Sequence, residues 1–157
     1  MKKILTILLA FFLTSCAGSK NTTGINDSSA PSNTNTIIVH TNLDANSAYK
    51  KVAQTLQSRG YTFRSTDETL KSISTEFTGV SQRWGVDNTF VRIGANVQGE
   101  SNSNISIRGW YKTLENEDTE TGQTVKKFGQ NGSPARIAWK EMYQVAKSIS
   151  DSLSYKQ

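Results

Sequence analysis

From Thr36 onward the apolar residues fall into two rhythms. "TIIVHT" (Thr36–Thr41) is a β-branched run and reads as a strand. In "NLDANSAYKKVAQTLQSRG" Tyr49, Val52, Ala53 and Leu56 recur at helical spacing. Asp44 or Asn46 offers a capping oxygen and Gly60 a left-handed stop, so a helix is predicted over 46–59. "YTFRS" (Tyr61–Ser65) leaves that glycine as a second strand. After the turn "TDE", "LKSISTEFTGV" predicts a third strand with Ile73, Thr75 and Phe77 on one side. Asn88–Gln98 carries the clearest period of two, with Val91, Ile93, Ala95 and Val97 alternating with polar or small residues. "GESNSN" turns the chain back into Ile105–Lys112, where Ile105, Ile107 and Tyr111 face the core while Arg108 and Trp110 point away. A polar loop, "TLENEDTETGQT", leads to a second helix. Ser133 caps it, and Pro134 takes the first helical position, where a missing N–H costs nothing. Its buried stripe is predicted as Ala138, Met142, Val145 and Ile149, with Leu153 as the last candidate.

The element order is thus β-α-β-β-β-β-α. Short turns between neighbouring strands argue for antiparallel pairing, and alternation along the long strands makes one face dry and the other wet. Two amphipathic helices need an apolar surface, which the dry face supplies. The fold class is α+β: a two-layer sandwich of an antiparallel sheet of about five strands with both helices on one face. Residues 37–157 form one domain, long enough for one core.

The first strand, the helix ending in "LQSRGYTF", the segment "STDETLKSISTEF", the pair "VRIGANV" and "ISIRGW", and the C-terminal helix resemble the helix-grip domains of the BamC family. Those are lipoproteins of the outer-membrane β-barrel assembly machinery. The resemblance spans about residues 37–153. It implies a helix-grip-like fold and a place in an envelope complex. This chain departs from that family in having one such domain rather than two and a shorter tether.

Upstream of the domain the composition changes. Residues 17–36, "AGSKNTTGINDSSAPSNTNT", are small and polar with Ile25 the one large apolar residue, which predicts a flexible tether. Before it, Lys2 and Lys3 precede an apolar run from Ile4 to Leu13. That run is too short to cross a bilayer, which takes roughly 20 apolar residues, and suits a secretory signal peptide. It ends in Leu13-Thr14-Ser15-Cys16, and Cys16 is the only cysteine. The pattern resembles the bacterial lipoprotein signal. The resemblance implies a signal peptide of residues 1–15, cleavage before Cys16 and lipidation of the Cys16 thiol. It implies palmitate-type acylation and a membrane partner reached through the lipid. Residue 17 is Ala rather than Asp, which implies sorting to the outer membrane of a Gram-negative cell envelope. Two or three acyl chains on one residue anchor durably where a single chain binds only marginally.

Charge narrows the partners. Lys and Arg number 18 against 13 Asp and Glu, and loss of Lys2 and Lys3 with the signal peptide lowers the net charge from +5 to +3. The cations are scattered, without the basic stripe that nucleic-acid binding needs. With Cys16 acylated no thiol is left for disulfides, thiol catalysis or metal. His40 is the only histidine and lacks ligand-spaced neighbours, so it reads as a surface residue. Glu115, Glu117, Asp118 and Glu120 lack the register of a calcium loop, and Asp67 and Glu76 are not a recognisable acid pair. No nucleophile elbow, phosphate loop or zinc-protease motif occurs. No enzyme activity, cofactor or metal is expected.

The remaining signal is aromatic. Trp84 sits in "SQRWGVDN", and strand parity puts Phe90, Arg92, Arg108 and Trp110 on the wet sheet face. Exposed Trp and Arg are enriched at binding hot spots. Either these five residues form an interaction surface, for another envelope protein or an envelope polymer, or they clad the sheet. The alternative function is a carrier holding a small apolar ligand between helix and sheet.

Overall fold

A computed structural model describes residues 29–83, 86–116, 121–128 and 132–157. Its elements run β1 (Thr36–Thr41), α1 (Ala45–Ser58), β2 (Phe63–Asp67), β3 (Ser72–Thr75), β4 (Thr78–Arg83), β5 (Val86–Gln98), β6 (Ser103–Thr113), β7 (Gln123–Thr124), α2 (Pro134–Ile149) and β8 (Ser152–Lys156), with a 3-10 turn at Leu114–Asn116.

Local chemistry sets the helix ends. Asp44 Oδ1 accepts the backbone N–H groups of Asn46 at 2.9 Å and Ser47 at 3.0 Å, which would otherwise be orphaned at the start of α1. The Ser47 hydrogen bonds hold the Asp44 carboxyl below its ordinary range. Gly60, at φ 83°, lets the chain leave α1 in a left-handed conformation, and the Tyr61 N–H closes the end on the Leu56 carbonyl at 3.0 Å. Ser133 Oγ caps α2 through the Arg136 N–H, with Pro134 following as the first helical residue.

All eight strands join one antiparallel sheet in the order β2-β3-β5-β6-β1-β8, with β4 also on β5 and β7 also on β6. The general class is α+β with two helices, as the sequence pattern predicts, but the sheet holds eight strands rather than five.

Three local causes account for the difference. The single predicted strand "LKSISTEFTGV" is broken. Ser74 opposes Gly94 and Thr78 opposes Val91, so this side takes one residue more than β5. That extra residue is a β-bulge. The Thr75 hydroxyl fills the gap in the ladder, accepting the Ile93 N–H at 3.0 Å and donating to the Glu76 carbonyl at 3.0 Å. One inserted residue reverses parity, so Phe77 does not share the buried side of Ile73 and Thr75 and instead meets Arg92 and Lys112 of the opposite face. Second, Gln123–Thr124 of the polar loop pairs with β6 as β7. Third, α2 stops at Ile149, because Ser150 turns to extended backbone (φ −80°, ψ 146°). Leu153 therefore lies in β8, opposite Val39, and is not the last member of the helix stripe.

The core lies between the sheet and the helices. Val52 and Leu56 of α1 and Trp139, Met142 and Val145 of α2 meet Ile37, Val39, Val91, Ile93, Ile105 and Ile107, every one of them 0% exposed. Burying such a side chain contributes roughly 1.5–3 kcal/mol. Close packing reaches the sheet backbone: a Cβ added to Gly109 would stand 3.0 Å from Val125 Cγ2 and 3.1 Å from Met142 Sδ.

The packed domain also begins earlier than the break at Ile37. Ala30 and Thr34 are buried. The Asn33 N–H donates to the Lys127 carbonyl at 3.1 Å, the Lys127 N–H to the Thr34 carbonyl at 2.8 Å and the Asn35 N–H to the Lys156 carbonyl at 3.2 Å. The expected tether through residue 36 thus gives way to ordered chain from residue 29. Residues 1–28, with the expected signal peptide and Cys16, lie outside the described residues. No described helix is long and apolar enough to cross a membrane.

Candidate functional site

With both helices on one sheet face, the other face is built from the alternate positions of β3, β5, β6, β1 and β8. Register fixes its rows. Phe90 stands opposite Lys112, Arg92 opposite Trp110, Gly94 opposite Arg108, and Asn96 opposite Ser106. Ser74 continues the Gly94 row on one side, and Thr36 and Lys156 continue it on the other.

At one end of this face cations and rings interleave. The Arg92 guanidinium lies 4.3 Å from the Phe77 ring centroid and 5.9 Å from that of Trp110. Lys112 Nζ lies 5.1 Å from the Phe77 centroid and 6.0 Å from that of Phe90. Such cation–π contacts contribute about 0.5–2 kcal/mol each, depending on desolvation. Arg92 Nη2 also donates to the Thr121 carbonyl at 3.4 Å. Burial, foremost, and then repulsion from Arg64 pull the Arg92 pKa down, while Glu76 opposes the change.

Beyond this column Trp110 reaches diagonally across β5. Its six-membered ring lies over Gly94, where a Cβ would stand 3.1 Å from Cζ3 and 3.3 Å from Cη2. A depression of about 360 Å³ opens beside it, lined by Ile73, Gly94, Ala95, Asn96, Gln98, Ser106, Arg108 and Trp110. Arg92 is not part of that lining. Arg108 is exposed, and its Nε donates to Thr36 Oγ1 at 3.2 Å. Asn96 Nδ2 donates to the Leu70 carbonyl at 3.2 Å.

Cations predominate on this face. Its positions on β3, β5 from Phe90 to Gln98, β6 from Asn104 to Lys112, β1 and β8 include Arg92, Arg108, Lys112 and Lys156, and its carboxylate is Asp67 at the edge strand β2, opposite Ser72, with Oδ1 accepting the Thr69 and Leu70 N–H groups. His40 lies on the same face. Its Nδ1 lies 2.6 Å from Asn104 Oδ1 and its Nε2 2.7 Å from Ser154 Oγ. A proton on Nδ1 satisfies both contacts, because the amide oxygen only accepts.

Elsewhere among the described residues one ion pair is structural. Arg59 donates from Nε and Nη2 to the two Glu141 oxygens at 2.9 and 2.8 Å, tying the end of α1 to α2. The Tyr61 hydroxyl donates to Glu141 Oε1 at 3.4 Å. Burial, and then the charge of Glu141, push the Tyr61 pKa far above the usual phenol value. Among the described residues no group of three or more His, Cys, Asp or Glu is placed to hold a metal ion.

Of the five predicted surface residues, Phe90, Arg92, Arg108 and Trp110 stand on one face, while Trp84 lies outside the described residues, as do Glu117, Asp118 and Glu120. Sequence reasoning missed Phe77, Lys112, Gly94 and Asn96. The last three share the parity of Arg92 and Trp110 and were legible from it. Phe77 was hidden by the bulge.

No family model and no curated protein matches the chain. Among solved structures, a DUF4468 family protein from Bacteroides ovatus ATCC 8483 aligns with 12% identity and a TM-score of 0.41, covering 74% of this chain and 86% of that one. At that score the likeness says nothing of function.

Proposed function

We propose that this chain is a lipid-anchored envelope lipoprotein, carried on the outer membrane through Cys16, whose domain is a non-catalytic binding module. On this reading the helices grip one sheet face, as in the BamC-like domains that the sequence resembles, and the opposite face does the work. It docks another envelope component, protein or polymer, within an envelope complex. The observation that carries the reading is the outward face: Trp110 and Arg108 beside an open depression, with four cations in its register against one carboxylate, Asp67, at the edge strand. The filled helix–sheet layer, with Trp139, Met142 and Leu56 all at 0% exposure, favours binding on the outside over carriage of an apolar ligand inside.

Two substitutions test the two halves of this proposal in cells. Cys16→Ala abolishes incorporation of a palmitate analogue and leaves unprocessed precursor; equal labelling of wild type and variant overturns the anchor. Arg108→Glu, at an exposed position, strips the component that co-purifies with the full-length protein from solubilised envelopes and leaves the melting temperature unchanged. Undiminished co-purification overturns the binding face.

A further inference from the structure

We propose that the Trp110–Arg108 depression is a subsite for a carboxylate-bearing sugar unit of an acidic glycan. This rests on the binding-module reading above and names its ligand.

Three features select that chemistry. The first is a flat apolar wall. The Trp110 six-membered ring lies over Gly94, with the Arg92 guanidinium 5.9 Å from its centroid, and the indole lines the depression. The polarised axial C–H bonds of a pyranose stack on such a face, and the bare backbone of Gly94 gives the indole its place beside the depression.

The second is a guanidinium aimed at an anion. Arg108 stands directly across from Gly94, and its one hydrogen bond within the described residues uses Nε. Both terminal nitrogens are left to grip a carboxylate in two parallel hydrogen bonds, the geometry that arginine provides and lysine does not. The row gains a second cation at Lys156 and holds no acid to compete. The third is a set of neutral hydrogen-bonding groups at hydroxyl-reading positions. Asn96 and Ser106 face each other across β5 and β6, with Gln98 beyond.

A peptide partner would call for an apolar pocket or an open strand edge, and this floor lies in the middle of the sheet. A flat anionic membrane would call for protruding apolar residues. The large exposed apolar side chains among the described residues are Leu43, Leu70, Leu114 and Phe128, and none of them lines the depression. At about 360 Å³ the space matches one or two sugar rings, near the lower end of small-molecule sites.

The test is calorimetric titration of full-length protein in detergent with tetragalacturonate, with its neutral methyl ester and with inorganic phosphate. The acidic oligosaccharide binds, and the ester binds at least about tenfold more weakly, the difference a charge-assisted hydrogen bond supports. Arg108→Gln removes the preference for the acid. Trp110→Phe, which keeps a ring for Arg92, weakens both sugars. Lys50→Gln, which removes an exposed cation from α1, changes neither. Acid and ester binding alike overturn the carboxylate assignment. Phosphate binding as tightly as the oligosaccharide, without dependence on Trp110, makes this a plain anion site and overturns the sugar. If neither sugar binds while Arg108-dependent co-purification persists, the ligand is a protein and this inference falls alone. If co-purification is lost as well, the binding face falls with it.

Discussion

The six-membered ring of Trp110 lies over the bare backbone of Gly94, so close that a Cβ on Gly94 would stand 3.1 Å from Cζ3. One strand thus gives up a side chain so that its neighbour can lay an indole across it. A valine there is at home in a strand but occupies the space of the ring. Gly94→Val is expected to fold with a melting temperature within a few degrees of wild type, to shift Trp110 emission and to lose envelope binding by about tenfold or more. Unchanged binding with a shifted emission would show that the ring's position is immaterial.

Arg92 is the internal brace of the same face. Its guanidinium lies 4.3 Å from the Phe77 centroid and 5.9 Å from that of Trp110, with its proton affinity lowered by burial foremost. Arg92→Ala removes both stacks and is expected to lower stability by about 1–2 kcal/mol, read as a lower urea midpoint. Arg92→Lys recovers only part of this, because an ammonium lacks the plane that stacks between two rings. A neutral Arg92→Ala would mean that the aromatic column holds its shape without the cation.

Tyr61 supplies a pH dependence with a defined sign. Its folded pKa is raised above the ordinary 10.0, by burial first and by Glu141 second. A group raised in this way contributes stability that is fully present below the unfolded pKa and lost as pH climbs toward the folded one. Wild type should therefore lose stability above about pH 10, by as much as about 1.4 kcal/mol per pH unit, while Tyr61→Phe stays flatter. Parallel urea midpoints for the two proteins from pH 9 to 11 would contradict this.

Much of this architecture is written locally. The Asp44 and Ser133 caps, the Gly60 exit and the alternation of β5 and β6 depend on neighbours in sequence, and pattern reading finds them. Phe77 does not, because its parity depends on one inserted residue whose ladder gap the Thr75 hydroxyl fills. Leu153 continues the helical spacing of α2 but belongs to β8; its strand partner, Val39, is far away in the chain. Trp139 escaped because the predicted stripe was drawn too narrow: Trp139, Tyr143 and Ala146, spaced by four and three, extend the buried face of α2. On the candidate face the alternation places Phe90, Arg92, Arg108 and Trp110 correctly, whereas the depression depends on where the indole lands.

The N-terminal segment gives a further comparison. Residues 29–35 look like tether by composition, yet Ala30 is 3% and Thr34 0% exposed. Fragments 29–157 and 36–157 should both fold, the shorter one weaker by about 2–4 kcal/mol from three lost backbone hydrogen bonds and the exposed surface. The melting temperature should fall on the order of 10 °C. Equal melting temperatures would return this segment to the tether.

The central claim, that the outward sheet face engages the partner and the helical layer does not, is tested most directly by site-specific photo-crosslinking in intact cells. A photoreactive residue replaces Ser106 on the outward face in one version of the full-length protein and Gln54, exposed on α1, in another. The account predicts a discrete crosslinked adduct from position 106 and none from position 54. An adduct from position 54 alone, or equal adducts from both, would contradict it.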